Sequence, residues 1–291
     1  MIRSPKSSAG RRRPASIVVA AGAAAFTLGL TACSGAATPA ATGSAAPAGK
    51  IKIGIKFDQP GLGLQEGNTF TGFDVEVATF VANEMGYPAA NIEFVEAKSA
   101  QRETMIQGDQ VKLIFATYSI TDARKEKVSF GGPYFVAGQD LLVRTEDTSI
   151  TGPESLTGKK LCSVAGSTPA QNVKKQYPGV DLVEYDTYSK CVSALASKGV
   201  DALTTDNVIL AGYAAQAQYA GKLRVVGKTF STERYGVGLK KGDTATCQKV
   251  NTALEKMVSS GAWKTALDKT VGASGFKPDA ATNPPKVDAC T

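Results

Sequence analysis

The chain has 291 residues, a formal charge of +7, 43% hydrophobic residues, five cysteines and no histidine. That length suits one large globular domain or two smaller ones. The lack of histidine removes the commonest general base and the usual Ser-His and Cys-His nucleophile pairs. Five of the positive charges (Arg3, Lys6, Arg11, Arg12, Arg13) lie in the first 32 residues, which carry no acid. The rest is therefore only about +2 (7 less 5), with no Lys/Arg run longer than a pair, which argues against nucleic acid and against a membrane-binding face.

Those five charges precede an apolar stretch of 14 residues, Ile17 to Leu30, too short for a spanning helix. The stretch closes on Leu30-Thr31-Ala32-Cys33. We expect residues 1–32 to be a lipoprotein signal peptide, with Cys33 receiving a diacylglyceryl group as the first mature residue. An ordinary cleavage site beside an incidental cysteine is the plainer alternative. The chain is then expected outside the cytoplasm, on the outer face of the cell membrane. Ser34 to Gly49 has no charge and no large apolar side chain, so residues 33–49 read as a flexible tether. The 16 residues from Ser34 to Gly49 span roughly 20–24 Å.

From residue 50 strand and helix patterns alternate. Ile51, Ile53 and Ile55 alternate with Lys50, Lys52 and Lys56, a strand with one buried face. Phe73, Val77, Phe80, Val81 and Met85 fall at helical spacing and end at Gly86-Tyr87-Pro88. A strand over Ile92–Val95 precedes a helix that Ser99 is expected to cap. Strands follow over Val111–Ala116 and Val128–Phe130, then an extended segment, Gln139 to Arg144. The rhythm repeats with strands at Leu161–Val164, Asp181–Glu184, Ala202–Thr205 and Leu223–Val226, separated by helices. Tyr235–Leu239 is extended again, before helices over Ala245–Ser259 and Trp263–Lys269, where Trp263 is expected in the core. The pattern predicts an α/β protein with largely parallel sheets, in two lobes crossed twice by the chain. Residues 50–137 and 232–291 would form lobe 1, and 138–231 lobe 2, with the ligand cleft between them.

Cys33 apart, four cysteines remain, an even number in an oxidising compartment. Cys162–Cys191 and Cys247–Cys290 are the pairs that stay within one proposed lobe. A zinc site lacks any CxxC or histidine, so no metal and no cofactor are expected. Gly61-Leu62-Gly63 with Gly67 has the wrong spacing for a dinucleotide fingerprint.

Three strand ends carry candidate chemistry. Thr117-Tyr118-Ser119 through Arg124 offers hydroxyls and a guanidinium fork for a carboxylate. Gly166-Ser167-Thr168-Pro169 presents helix N-terminal N–H groups to an anion. Asp206, after Thr204-Thr205, is placed to pair with a cation. Together they suit the two charges of an amino-acid zwitterion. Each has a bland counterpart: Asp206 or Thr168 as a helix cap, Arg124 as one charge on a solvated face.

Gly72-Phe73-Asp74-Val75-Glu76-Val77 with Val81-Ala82, and Ser119-Ile120-Thr121 through Arg124 with Val128-Ser129-Phe130 and Pro133-Tyr134, resemble the signatures of bacterial solute-binding protein family 3. These are the amino-acid receptors of ABC importers. The resemblance runs from about Lys50 to Lys269. Ile53 to Gly61 and Ser99 to Ile106 look closest to the glutamate-binding lipoproteins of high-GC Gram-positive bacteria. The resemblance implies a two-lobed periplasmic-binding-protein-like (type II) fold, closing at hinges near Ala137–Leu141 and Ser231–Gly236. It implies that Arg124, with the N–H groups of Ser119 and Thr168, binds the α-carboxylate, and that Thr117 and Asp206 hold the α-ammonium. Arg102, assisted by Lys56, falls where acidic-amino-acid receptors place a cation for the side-chain carboxylate. The family's usual aromatic after the first strand is replaced by Gln59, leaving Phe57, Tyr118 or Tyr134 as substitutes. The expected function is a monomeric, lipid-anchored, non-enzymatic receptor delivering glutamate or aspartate to an ABC permease and its ATPase. A glutamine receptor, a cyclohexadienyl dehydratase-like enzyme using Glu103 or Asp122, and a sensory lipoprotein are the alternatives.

Overall fold

The structure is a computed structural model that describes residues 49–290. The expected signal peptide, Cys33 and the expected tether before residue 49 lie outside the described residues. Strand β1 (Ile51–Ile55) leads into a small antiparallel sheet of β2 (Asp58–Gln59), β3 (Gly63–Glu66) and β4 (Thr69–Thr71). Next come α1 (Phe73–Glu84), β5 (Ile92–Glu96), α2 (Arg102–Gln107), β6 (Leu113–Phe115), α3 (Asp122–Lys125) and β7 (Ser129–Ala137). The second unit holds β8 (Gln139–Arg144), β9 (Lys160–Val164), α4 (Thr168–Gln176), β10 (Asp181–Tyr185), α5 (Tyr188–Ala196), β11 (Ala202–Asp206), α6 (Asn207–Ala214) and β12 (Leu223–Val225). Strand β13 (Glu233–Leu239), α7 (Thr244–Ser259) and α8 (Ala262–Lys269) close the chain's regular structure.

Two five-stranded sheets result, ordered β5-β1-β6-β13-β7 and β10-β9-β11-β8-β12. Each is half parallel and half antiparallel, which corrects the expectation of largely parallel sheets. In the first, β1 runs parallel to β5 and β6, while β13 runs antiparallel to β6 and β7. In the second, β9 runs parallel to β10 and β11, and β8 antiparallel to β11 and β12. The cause is the crossover. A single extended ribbon, β7 and β8 with only Gly138 between them, passes from one sheet into the other. Gly138 is needed for close approach: a Cβ there would meet the Thr229 Cβ at 2.9 Å and the Ser231 carbonyl oxygen at 3.0 Å, on the returning segment.

The expected strand at Val128–Phe130 is the start of the nine-residue β7. Strand β1 is an inner strand, and Gly54 faces Ile114 and Ala97 on the side where alternation suggested solvent. In the first sheet Phe73, Phe135 and Trp263 pack with ring centroids 5.5–6.3 Å apart. Trp263 is a core residue, and its indole N–H donates to the Tyr134 carbonyl (2.8 Å). Burying a side chain of this size is worth roughly 1.5–3 kcal/mol.

Both expected disulfides are present. Cys162–Cys191 ties β9 to α5, and Cys247–Cys290 ties α7 to the C-terminal tail. The tail runs along β7. Asn283 accepts from the Val136 N–H and donates to its carbonyl, both at 2.9 Å, and the Asp288 N–H donates to Gly132 (2.7 Å). The Cys247–Cys290 bond closes a separation of 43 residues. A Cys247→Ala/Cys290→Ala variant is expected to lose about 3–4 kcal/mol, lowering Tm by roughly 10 °C in thermal melts.

Candidate functional site

The strand ends singled out in the sequence meet between the two sheets. Ser99, Arg102, Thr117 and Ser119 come from the first unit. Ser167, Thr168, Pro169, Tyr188, Asp206 and Ile209 come from the second. The space they enclose is about 10 Å³, the volume one water needs. Larger hollows, about 370 Å³ beside Trp263 and Pro285 and about 560 Å³ along α1 and α8, lack this convergence of buried charge.

Arg124 is 6% exposed, so it is no solvated surface charge. Its helix is started by Thr121, whose hydroxyl accepts from the Arg124 N–H. The guanidinium spans the two units. It donates to the Ser119 carbonyl (2.8 Å) on its own side, and to the Thr168 hydroxyl and Gly166 carbonyl (both 3.0 Å) on the other. Its Nε lies 3.4 Å from a Glu103 carboxylate oxygen. Ser167, not Thr168, caps α4, its hydroxyl accepting from the Ala170 N–H (3.1 Å). That leaves the Thr168 hydroxyl for Arg124. The Thr168 N–H is among the first-turn donors that a helix cannot pair internally.

Arg102 is 2% exposed and also turned inward. One of its terminal nitrogens donates to the Ala116 carbonyl (3.0 Å), and its guanidinium stands 4.2 Å from the Tyr118 ring centroid. Arg124 stands 5.0 Å from the same ring. Tyr118 thus backs the two arginines, and its hydroxyl donates to Glu103 (2.7 Å). Burial, then the neighbouring Arg124 charge, lower the Arg102 pKa to about 10. Lys56 is buried rather than solvent-facing, and its ammonium donates to the Ser99 hydroxyl (2.8 Å). Ser99 therefore does not cap α2, and no side chain does.

Asp206 stands at the N-terminus of α6 without capping it. One oxygen accepts from the Tyr235 hydroxyl (2.6 Å), while the other has no partner. Burial first, then the nearby Glu233 charge, push its pKa well above the usual carboxylate range. Thr117 has φ of 46°, an uncommon conformation for a β-branched residue. Asp74 holds it there by accepting its N–H (3.0 Å), and accepts from the Tyr134 hydroxyl as well (2.7 Å). Burial raises the Asp74 pKa to about 6. The Thr117 hydroxyl donates to Ala116 (2.8 Å) and lies 3.3 Å from the Gln59 amide oxygen.

Among the described residues four buried side-chain polar atoms lack a partner: Gln59 Nε2, Arg102 Nε, Thr205 Oγ1 and Asp206 Oδ1. All belong to residues of this cleft or next to it. Each such atom costs about 1–3 kcal/mol while unpaired. Sequence reasoning missed Asp74 as the group that orients Thr117, and Tyr188 as the aromatic in the lining. Phe57 packs on Phe70, and Tyr134 is tied to Asp74, so neither of those candidates lines the enclosed space. A Tyr at a helix start gives no signal that separates a site residue from a core one.

Two α/β units joined by two crossing segments, with a charged cleft between them, define a protein of the two-lobed ligand-binding type. Comparison with known proteins agrees. The chain belongs to the bacterial extracellular solute-binding proteins, family 3, which it matches over residues 51–273. It is 49% identical to the glutamate-binding protein GluB of Corynebacterium glutamicum over 235 residues, 77% of this chain and 79% of that one. The glutamine-binding protein GlnH of Bacillus subtilis is 36% identical over 76% of this chain and 81% of its own. Among solved structures, an ancestral arginine-binding protein bound to glutamine superposes with a TM-score of 0.72 at 34% identity, covering 77% of this chain and 98% of that one. No described helix is long and apolar enough to cross a membrane.

Proposed function

We propose that this chain is the extracytoplasmic receptor of an amino-acid ABC importer and that its ligand is L-glutamate, with L-aspartate the near alternative. Family membership gives the class, and the family binds amino acids and works with ABC transporters. The relatives named above are glutamate- and glutamine-binding proteins. Residues 50–137 with 232–291, and residues 138–231, act as the two lobes. They bend at Gly138 and the returning segment near Ser231. The protein acts as a monomer, delivers its ligand to a permease and its ATPase, and is anchored through lipid on Cys33.

In this reading Arg124 and the N–H groups of Ser119 and Thr168 take the α-carboxylate. Thr117 and Asp206 take the α-ammonium, which supplies the unpaired Asp206 oxygen with a donor. Arg102 and Lys56 receive the side-chain carboxylate, with Tyr118 stacked behind Arg102. The observation that carries the choice of glutamate is Arg102: buried, with no carboxylate in ion-pair contact among the described residues and one nitrogen without a partner. A neutral amide would leave that charge stranded, at about 3–5 kcal/mol. The expected preference for glutamate over glutamine is therefore about a hundredfold or more.

Calorimetric titration of wild type and Arg102→Met with both ligands tests this. Glutamate affinity should fall about a hundredfold in the variant while glutamine affinity changes little. Wild-type preference for glutamine would overturn the ligand and leave the receptor class standing.

A further inference from the structure

Lys56 is a buried amine whose only hydrogen-bond partner among the described residues is the Ser99 hydroxyl. Among the described residues no carboxylate lies within ion-pair distance of it. Charged groups face it from five elements: Asp58 on β2, Asp74 on α1, Glu96 on β5, Arg102 on α2 and Arg124 on α3. The two guanidiniums oppose a charge on Lys56. The three carboxylates favour one, but at a distance. Burial outweighs them, and the Lys56 pKa falls from the ordinary lysine value to about 7.

We propose that above neutral pH Lys56 is mostly neutral in the ligand-free site and takes up a proton when a side-chain carboxylate enters beside Arg102, so that glutamate is then bound together with a proton and glutamine is not. The inference rests on the glutamate reading above. An anion placed about 4–6 Å from a titrating amine raises its proton affinity by roughly ten- to a thousandfold. The proton passes from solvent to the lone pair of Nζ, and no other bond changes. A ligand amide carries no charge and offers Lys56 no such gain. The uptake also limits how many cations without a carboxylate partner the ligand-free cleft must hold: Arg102 alone, since Arg124 pairs with Glu103, rather than Arg102 and an ammonium.

The test is calorimetry on the whole protein with L-glutamate and L-glutamine, in phosphate and in Tris, whose ionisation enthalpies differ. The slope of observed heat against buffer enthalpy counts protons exchanged. Binding of the α-ammonium also shifts the proton on Asp206, equally for both ligands, so the difference between ligands isolates Lys56. That difference should be below about 0.1 proton per glutamate at pH 6 and rise to about 0.2 at pH 8.5 for a tenfold gain in proton affinity, or about 0.9 for a thousandfold gain. Glutamate affinity should weaken by up to about tenfold per pH unit above 7. In Lys56→Met the two ligands should exchange protons equally at every pH. Equal exchange in wild type at pH 8.5, or an uptake flat between pH 6 and 8.5, would overturn the proposal while leaving glutamate as the ligand. Failure of glutamate to bind at all would overturn the ligand reading and this inference with it.

Discussion

Replacing Arg124 by methionine is expected to abolish useful binding of every α-amino acid, whatever its side chain. The guanidinium contacts both units at once, through Ser119 on one side and Gly166 and Thr168 on the other. In the proposed reading it serves the ligand carboxylate and the seam between the units together. Removing one partner of a buried charged contact costs about 2–5 kcal/mol or more. The loss in affinity should therefore be at least about thirtyfold and reach the order of a thousandfold. Titration with glutamate, glutamine and aspartate checks it. All three should weaken together, in contrast to Arg102→Met, which should separate glutamate from glutamine. A variant that lost only one ligand would place Arg124 on the side chain instead.

The second large effect has opposite signs in stability and binding. Asp206→Asn should raise the melting temperature of the ligand-free protein and remove most of its affinity. The folded protein binds the Asp206 proton more tightly than the unfolded chain does. Stability from this group is thus fullest in acid and is lost as pH rises from about 4 through the raised folded value. At pH 7–8 the native carboxylate is a strained choice, with one oxygen unpaired and Glu233 nearby. An amide carries no charge to desolvate, so a gain of about 1–3 kcal/mol, or roughly 5 °C, is expected there. The gain should shrink towards pH 4, where the acid is already neutral. Affinity should fall about a hundredfold or more, because the ammonium loses its counter-charge. Melts from pH 4 to 8 with and without glutamate read both signs. An unchanged melting temperature at pH 8 would mean that the carboxylate is not strained.

The sequence was most legible where periodicity is long. Helices α1 and α7 and the alternation of β1 stand out, and the ends of β6, β9 and β11 are marked by hydroxyls, an arginine and an aspartate at a strand's close. Short elements were not. Strands β2 to β4 have two to four residues each and show no period. Strand β7 was hidden because Gly131-Gly132-Pro133 reads as a breaker, whereas it lies on the sheet's edge, where proline is tolerated. In the site, Arg124, Thr168 and Asp206 were visible as charge or hydroxyl at strand ends. Asp74 was not, because an acid in a helix's first turn already has a reason to be there. The resemblance placed Lys56 in the site, whereas the alternation of β1 alone put it on the exposed side, because one side of a strand looks solvated until a second layer covers it. Which candidate caps were engaged elsewhere, as Ser99, Thr168 and Asp206 are, depends on partners more than 20 residues away in the chain.

The C-terminal tail has a consequence for life in a crowded space. Strand β7 ends the first sheet, and an open strand margin is a template onto which another copy can add itself. Asn283 answers the Val136 N–H and carbonyl with its own amide, as one more residue of sheet would, yet it offers no backbone of its own to extend the ladder. Farther along the margin, the Asp288 N–H occupies Gly132, and Cys290 fastens the tail to α7. One side-chain amide, one backbone contact and one covalent bond thus close the margin against polymerisation.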